Sequence, residues 1–258
     1  MKLSATSFLP VVAAAIVLGV SACGHTSTSP DLRQQVKAAA AAQEGPEWPD
    51  AAARFESDIE AFEAQDAESF PPAGAVLGIG SSSMRGWHGT IQEDLGFDGR
   101  LHIIPRGFGG SMISDVIHYA DRIVLPYEPK AILLYEGDND VTSGFSPERI
   151  AARYIEFFDM VHAELPETYI FVLSVKPSPA RWDVWPAMQE TNDLLAAICE
   201  EDERLVFIDV STPMLDEDGQ PIDELYLGDR LHMTPAGYEV WTAAVRPVLA
   251  EYLDVLTQ

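Results

Sequence analysis

From residue 75 onward the chain alternates short apolar runs with longer stretches in which apolar positions recur every three or four residues. The strand-like runs fall at 75–79, 101–104, 131–135, 169–175 and 205–210. Helical spacing fills the intervals, at roughly 84–95, 111–125, 147–165 and 186–201. Ser146-Pro147 and Thr234-Pro235 each read as an N-cap followed by proline at the first helical position, the second opening a last helix to about residue 253. Upstream, Phe55, Ile59 and Phe62 are spaced i, i+4, i+7 with acids between them, which predicts an amphipathic helix ended by Pro71-Pro72. Five strands alternating with helices predict a parallel sheet covered by helices on both faces, a three-layer α/β/α arrangement. Nothing in the pattern divides residues 45–258, so they are expected to form one domain.

The start of the chain follows another rule. Lys2 precedes an apolar run at 8–20, too short to span a bilayer comfortably but right for an export signal. The run ends in Val20-Ser21-Ala22-Cys23, which resembles a bacterial lipobox. That resemblance implies a signal peptide over 1–22 and an acylated Cys23 at the mature N-terminus. It also implies an exported lipoprotein anchored to a membrane of the bacterial cell envelope. An ordinary signal peptide with a chance cysteine is the plainer alternative. His25 to Pro30 is small and polar, and 31–43 is Ala-rich with only a weak helical signal, so 23–44 is expected to be a tether. Cys199 is then the only other thiol; in its apolar surroundings it reads as buried and inert.

Composition narrows the function classes. With 258 residues and 47% hydrophobic content the chain can bury a sizeable core and is not a disordered polymer. It carries 41 acidic against 16 basic residues, a formal charge of −25. Such a surface repels phosphate backbones, which argues against nucleic acid as a partner.

Open α/β sheets place chemistry at the carboxyl ends of their strands. After the first run comes Gly78-Ile79-Gly80-Ser81-Ser82-Ser83-Met84-Arg85-Gly86-Trp87. A serine at such a turn exposes its hydroxyl and sets its own amide at a helix start, as a nucleophile requires, although a simple Gly/Ser cap explains the turn as well. After the second run, Arg106-Gly107-Phe108-Gly109-Gly110-Ser111 brings backbone amides close to a ligand or is only a flexible turn. Neither glycine cluster completes a dinucleotide fingerprint. After the third, Glu136-Gly137-Asp138-Asn139-Asp140 offers an amide donor for a developing oxyanion, or an acidic turn or cation site. Before the last helix, Asp229 and His232 stand three apart, so that a carboxylate can orient one imidazole nitrogen and leave the other as a base.

In this order the four blocks resemble the SGNH (GDSL-type) hydrolase family, over about residue 48 to the C-terminus. The resemblance implies the SGNH hydrolase fold, a flavodoxin-like three-layer α/β/α arrangement, with Ser82 as nucleophile and Asp229 and His232 as the acid–base pair. It implies an oxyanion hole of the Ser82 amide, the Gly110 amide and the Asn139 side chain. Two positions depart from the usual pattern: Ser81 replaces the aspartate of Gly-Asp-Ser, and Pro105 stands where the second block often has asparagine. The choice among Ser81, Ser82 and Ser83 rests on alignment with Gly80. Gly-x-Ser-x-Gly is absent, which disfavours an α/β-hydrolase. There is no His-Glu-x-x-His and no cysteine pair for zinc, and Asp216-Glu217-Asp218-Gly219 lacks the glutamate that would complete a calcium loop.

The expected function is therefore a serine esterase that needs no cofactor and cleaves short-chain or acetyl esters through an acyl-enzyme, the ester borne by a small molecule or a glycan. Trp87, Arg181 and Trp182 are candidate pocket residues. A non-catalytic envelope protein that binds glycan or lipid on the same fold is the competing class.

Overall fold

The computed structural model describes residues 31–258. The signal-peptide and lipobox assignments, Cys23 included, lie outside the described residues. Helix α1 (Leu32–Ala41) begins at Asp31, whose side chain accepts from the Gln34 amide, and α2 (Ala52–Glu68) follows. Strand β1 (Val76–Gly80) leads into α3 (Ser82–Trp87) and α4 (Ile91–Leu95). Strand β2 (Ile103–Gly107) is followed by α5 (Ile113–His118) and α6 (Ala120–Ile123), and β3 (Ala131–Tyr135) by α7 (Asp138–Thr142) and α8 (Pro147–Glu164). Strand β4 (Tyr169–Leu173), α9 (Trp185–Cys199), β5 (Leu205–Ile208) and α10 (Pro235–Leu256) complete the chain.

All five strands are parallel, in the order β2-β1-β3-β4-β5. Side chains alternate between two cores, as the pleat requires. Leu77, Ile79, Ile132, Leu134, Ile170 and Val172 face the layer containing α1, α2, α5, α8 and α9. Val76, Leu133, Phe171, Leu173 and Ile208 face α3, α4 and α10. The three-layer α/β/α fold expected from the pattern is the one observed. The sequence order reverses between β1 and β3, so the crevice at the top of these two strands is the natural place for a site.

The elements differ from the pattern in instructive ways. Strand β2 runs two to three residues later than expected because it takes in Pro105; it is an edge strand, where a missing N–H is tolerated. The helix expected at 84–95 breaks at His88-Gly89-Thr90 into α3 and α4. Residues 32–41 are not tether but helix. Val36 is buried against α8, while Arg33 and Lys37 pair with Asp159 and the α1 amide of Leu32 reaches Glu201. Residues 32–41 are therefore part of the folded body, upstream of the start expected at 45. An isolated ten-residue helix is marginal, and it is these tertiary contacts, invisible in a local pattern, that hold it. Cys199 is buried, and burial pushes its thiol up to about 12, so it stays a thiol.

Candidate active site

Gly80 closes β1 with φ of +142°, and a Cβ there would lie 1.9 Å from the Tyr135 carbonyl oxygen on the neighbouring strand. Only glycine lets the two strand ends approach so closely. The Ser81 amide then donates to that same Tyr135 carbonyl, and the Ser81 carbonyl accepts from Arg85 in the first turn of α3. The turn sorts the three serines. Ser81 and Ser83 are buried, and Ser82, the first residue of α3, is partly exposed. As a first-turn residue it has a backbone N–H free of any intrahelical acceptor.

The Ser82 hydroxyl lies 3.0 Å from His232 Nε2, across 150 residues of sequence. His232 Nδ1 lies 2.6 Å from Asp229 Oδ2. The other oxygen, Asp229 Oδ1, accepts the amides of Leu231 and His232, both at 3.0 Å. The contact with His232, reinforced by those amides, holds the Asp229 carboxyl well below the usual carboxylate range, so it stays ionised. Carboxylate, imidazole and hydroxyl thus form one hydrogen-bonded chain. The Asp229 and His232 side chains are 49% and 39% exposed, so the chain opens to solvent on the base side.

The loop after β2 and the turn after β3 meet each other at the carboxyl end of the sheet. Gly110 adopts φ of +90°, and its carbonyl is turned toward Arg54, whose Nη2 donates to it at 2.8 Å. Asn139 Nδ2 donates to the Ser111 carbonyl at 2.9 Å, and Asn139 Oδ1 accepts from Arg181 Nη2 at 2.9 Å. Beneath them the Ser111 hydroxyl donates to Glu136 Oε1 at 2.5 Å. Burial, with Asp140 nearby, pushes Glu136 up; burial likewise lifts Asp140 to about 7, although it accepts the amides of Ile113 and Gly137. The acids at 136, 138 and 140 are thus interior parts of the turn rather than a solvated acidic loop. Among the described residues no group of three or more His, Cys, Asp or Glu side chains could hold a metal ion.

Several working residues escaped the sequence pattern. Lys176 is 1% exposed; its Nζ donates to the Leu231 carbonyl at 3.0 Å and lies 3.8 Å from Asp138 Oδ2. The Ala180 amide donates to the Arg230 carbonyl, and Tyr226 donates from its hydroxyl to Pro177. The segment after β4 therefore holds the Asp229–His232 loop in place. A lysine following a strand carries no sequence signal for this. The one hint was its lying within an otherwise apolar and proline-rich stretch.

The pocket residues divide. Trp87 is a correction: it is wholly buried among Met84, Tyr238 and Trp241, with Nε1 donating to Asp94 at 2.7 Å, so it belongs to the core. Helix α3 turns residue 87 inward, five positions after Ser82, so proximity in sequence does not become proximity to the hydroxyl. Arg181 is committed to Asn139 and to Asp138, which Nη1 approaches at 3.2 Å. Trp182 is half-buried, nearly parallel to Trp185, and lines a cavity of about 500 Å³ with Pro179, Gln220, Asp223, Glu224 and Arg230. His88 is neutral: burial lowers it to about 4, and its Nε2 accepts the Gly107 amide.

The profile of the GDSL-like lipase/acylhydrolase family matches residues 74–240, which contain every residue of the constellation. No curated protein matches the chain. Among solved structures, it is similar to a Streptococcus pneumoniae protein provisionally assigned as a platelet activating factor, at 22% identity and TM-score 0.66, covering 77% of this chain and 92% of that one. A GDSL-like lipase from Bacteroides thetaiotaomicron is 20% identical with TM-score 0.62, covering 75% and 97%. A catalytic mutant of an acetylxylan esterase from Geobacillus stearothermophilus is 14% identical with TM-score 0.55, covering 68% and 94%. At these identities the likeness speaks for the fold.

Proposed function

This chain belongs to the GDSL-like lipase/acylhydrolase family, and from that premise we propose that it is a serine esterase acting on short-chain esters, acetyl esters first among them. The observation that carries the reading is the continuous chain from Ser82 Oγ through His232 to the ionised Asp229. A binding protein has no use for an imidazole aimed at a half-exposed serine hydroxyl.

His232 Nε2 takes the Ser82 proton as Oγ attacks the ester carbonyl, and Asp229 stabilises the imidazolium that forms. Negative charge developing on the carbonyl oxygen meets the Ser82 and Gly110 amides and the remaining N–H of Asn139 Nδ2. Imidazolium then protonates the departing alcohol, leaving the acyl group on Ser82. Water, deprotonated by the same imidazole, attacks the acyl carbon, and the carboxylic acid leaves as Ser82 regains its proton. No step calls for a cofactor.

For the alcohol portion of the substrate, the cavity beside the base loop supports a polyhydroxylated group such as a glycan. Trp182 offers a flat apolar face, and Gln220, Asp223 and Glu224 offer hydrogen-bonding groups. The lipobox-like Val20-Ser21-Ala22-Cys23 supports an exported form held at the bacterial envelope by a lipid on Cys23. Turnover of p-nitrophenyl acetate and longer homologues tests the enzyme assignment. The expected result is hydrolysis that falls with acyl length and is abolished in Ser82→Ala. Full activity in that variant overturns the assignment, and activity rising steadily beyond about eight carbons overturns the short-chain preference.

A further inference from the structure

An oxyanion donor works only if its N–H points where the charge will appear, and an asparagine amide can sit either way round. In Asn139 both ends are tied by groups of opposite character. The Ser111 carbonyl, which can only accept, takes Nδ2–H at 2.9 Å; the Arg181 guanidinium, which can only donate, gives Nη2–H to Oδ1 at 2.9 Å. A flipped amide would set N–H against a guanidinium and oxygen against a carbonyl. Both contacts therefore select the same rotamer, the one that leaves the second Nδ2–H free.

Arg181 is itself held from several sides. Its Nη1 lies 3.2 Å from Asp138 Oδ2, a carboxylate 4% exposed and the chain neighbour of Asn139. Its own amide donates to the Ser178 carbonyl, and the preceding amide of Ala180 donates to Arg230 in the loop that carries Asp229 and His232. The guanidinium is 17% exposed; Nη2 donates to Asn139 while Nη1 sits within ion-pair distance of Asp138 on the same turn. Its planar fork suits two adjacent acceptors in a way that a lysine ammonium does not.

The geometry points to Arg181, anchored by Asp138, as a positioning residue that locks the Asn139 side-chain amide as an oxyanion donor, in place of the substrate contact its sequence position suggests. The inference rests on the esterase reading. It assigns Arg181 no contact with substrate; the residue acts through Asn139 alone.

A double-mutant cycle on p-nitrophenyl acetate tests it in the full chain. Arg181→Ala should lower kcat roughly 10- to 100-fold with little change in KM, since a small misplacement of a catalytic group costs about that much. Asn139→Ala should lower kcat on the order of 10²- to 10³-fold. The expected signature is that Arg181→Ala adds no further loss once Asn139 is alanine. Millimolar guanidinium should restore part of the turnover in Arg181→Ala and none in the double variant. Arg181→Lys, which keeps a charge opposite Asp138, covers the case in which the alanine variant unfolds; it too should lose kcat only while Asn139 is present. Losses that multiply, or a raised KM at unchanged kcat, would overturn the inference and leave the esterase reading standing. Absence of turnover in the unaltered chain would overturn both.

Discussion

The proposed nucleophile and its proposed base are built by different means. Ser82 stands on a turn whose neighbours are interior: Ser81, Ser83, Met84 and Trp87 are all buried, and Gly80 presses against β3. Its position follows from the register of a parallel sheet and the start of a helix. His232 stands on an irregular segment, half in solvent, held by long-range hydrogen bonds from Lys176 and Ala180 to the adjoining Leu231 and Arg230 carbonyls and by its local contact with Asp229. Two histidines make the same point. His88 is half-buried, neutral and structural; His232 is open to solvent and paired with a carboxylate. Ser82 itself apart, damage on the nucleophile side should therefore appear as lost stability, and damage on the base side as lost turnover.

The largest effect should come from the base itself. His232→Ala should lower kcat by on the order of 10⁴-fold or more while leaving the unfolding midpoint nearly unchanged, measured by ester hydrolysis and thermal unfolding. Next comes the loop's anchor. Lys176→Met removes the hydrogen bond to the Leu231 carbonyl, and kcat should fall about tenfold through loosening of the base. A Lys176→Met enzyme with unaltered kcat would show that the loop needs no such anchor.

Two smaller effects probe the nucleophile side. Trp87→Phe should cost about 1–3 kcal/mol of stability, from the lost contact with Asp94 and the lost volume, with kcat within about twofold of the parent. A large loss of kcat would return Trp87 to the substrate pocket. His88 gives a pH dependence of defined sign. Its folded value of about 4 lies below the ordinary 6.5, so protonation favours the unfolded chain. The contribution is complete above about pH 6.5 and declines as pH falls toward 4. After allowance for its partial exposure the full loss is roughly 2 kcal/mol. Denaturant midpoints at pH 7 and pH 4.5 should show this decline, and His88→Gln should remove it.

The same contrast explains what was legible in the sequence. Strand β3 and helix α8 stand out because their apolar patterns are local and fully used by the core. The nucleophile turn and the Asp229–His232 spacing were legible because each motif is contiguous. Lys176 and Arg181 were not legible in their working roles, since their partners at 231, 138 and 139 lie far away in sequence and no periodicity links them. Trp87 misled because nearness to Ser82 along the chain said nothing about which side of α3 it would occupy. Helix α1 was underestimated for a related reason. Its local signal is weak, and what fixes it are ion pairs to Asp159 and Asp202.

The central claim is that Ser82 is a live nucleophile activated by His232. Reaction with a fluorophosphonate, followed by intact-mass and peptide mapping, tests it without knowledge of the natural substrate. The expected result is a single adduct on Ser82, lost in Ser82→Ala and strongly slowed in His232→Ala. An unmodified chain, or an adduct mapping to Ser81, Ser83 or elsewhere, would contradict it.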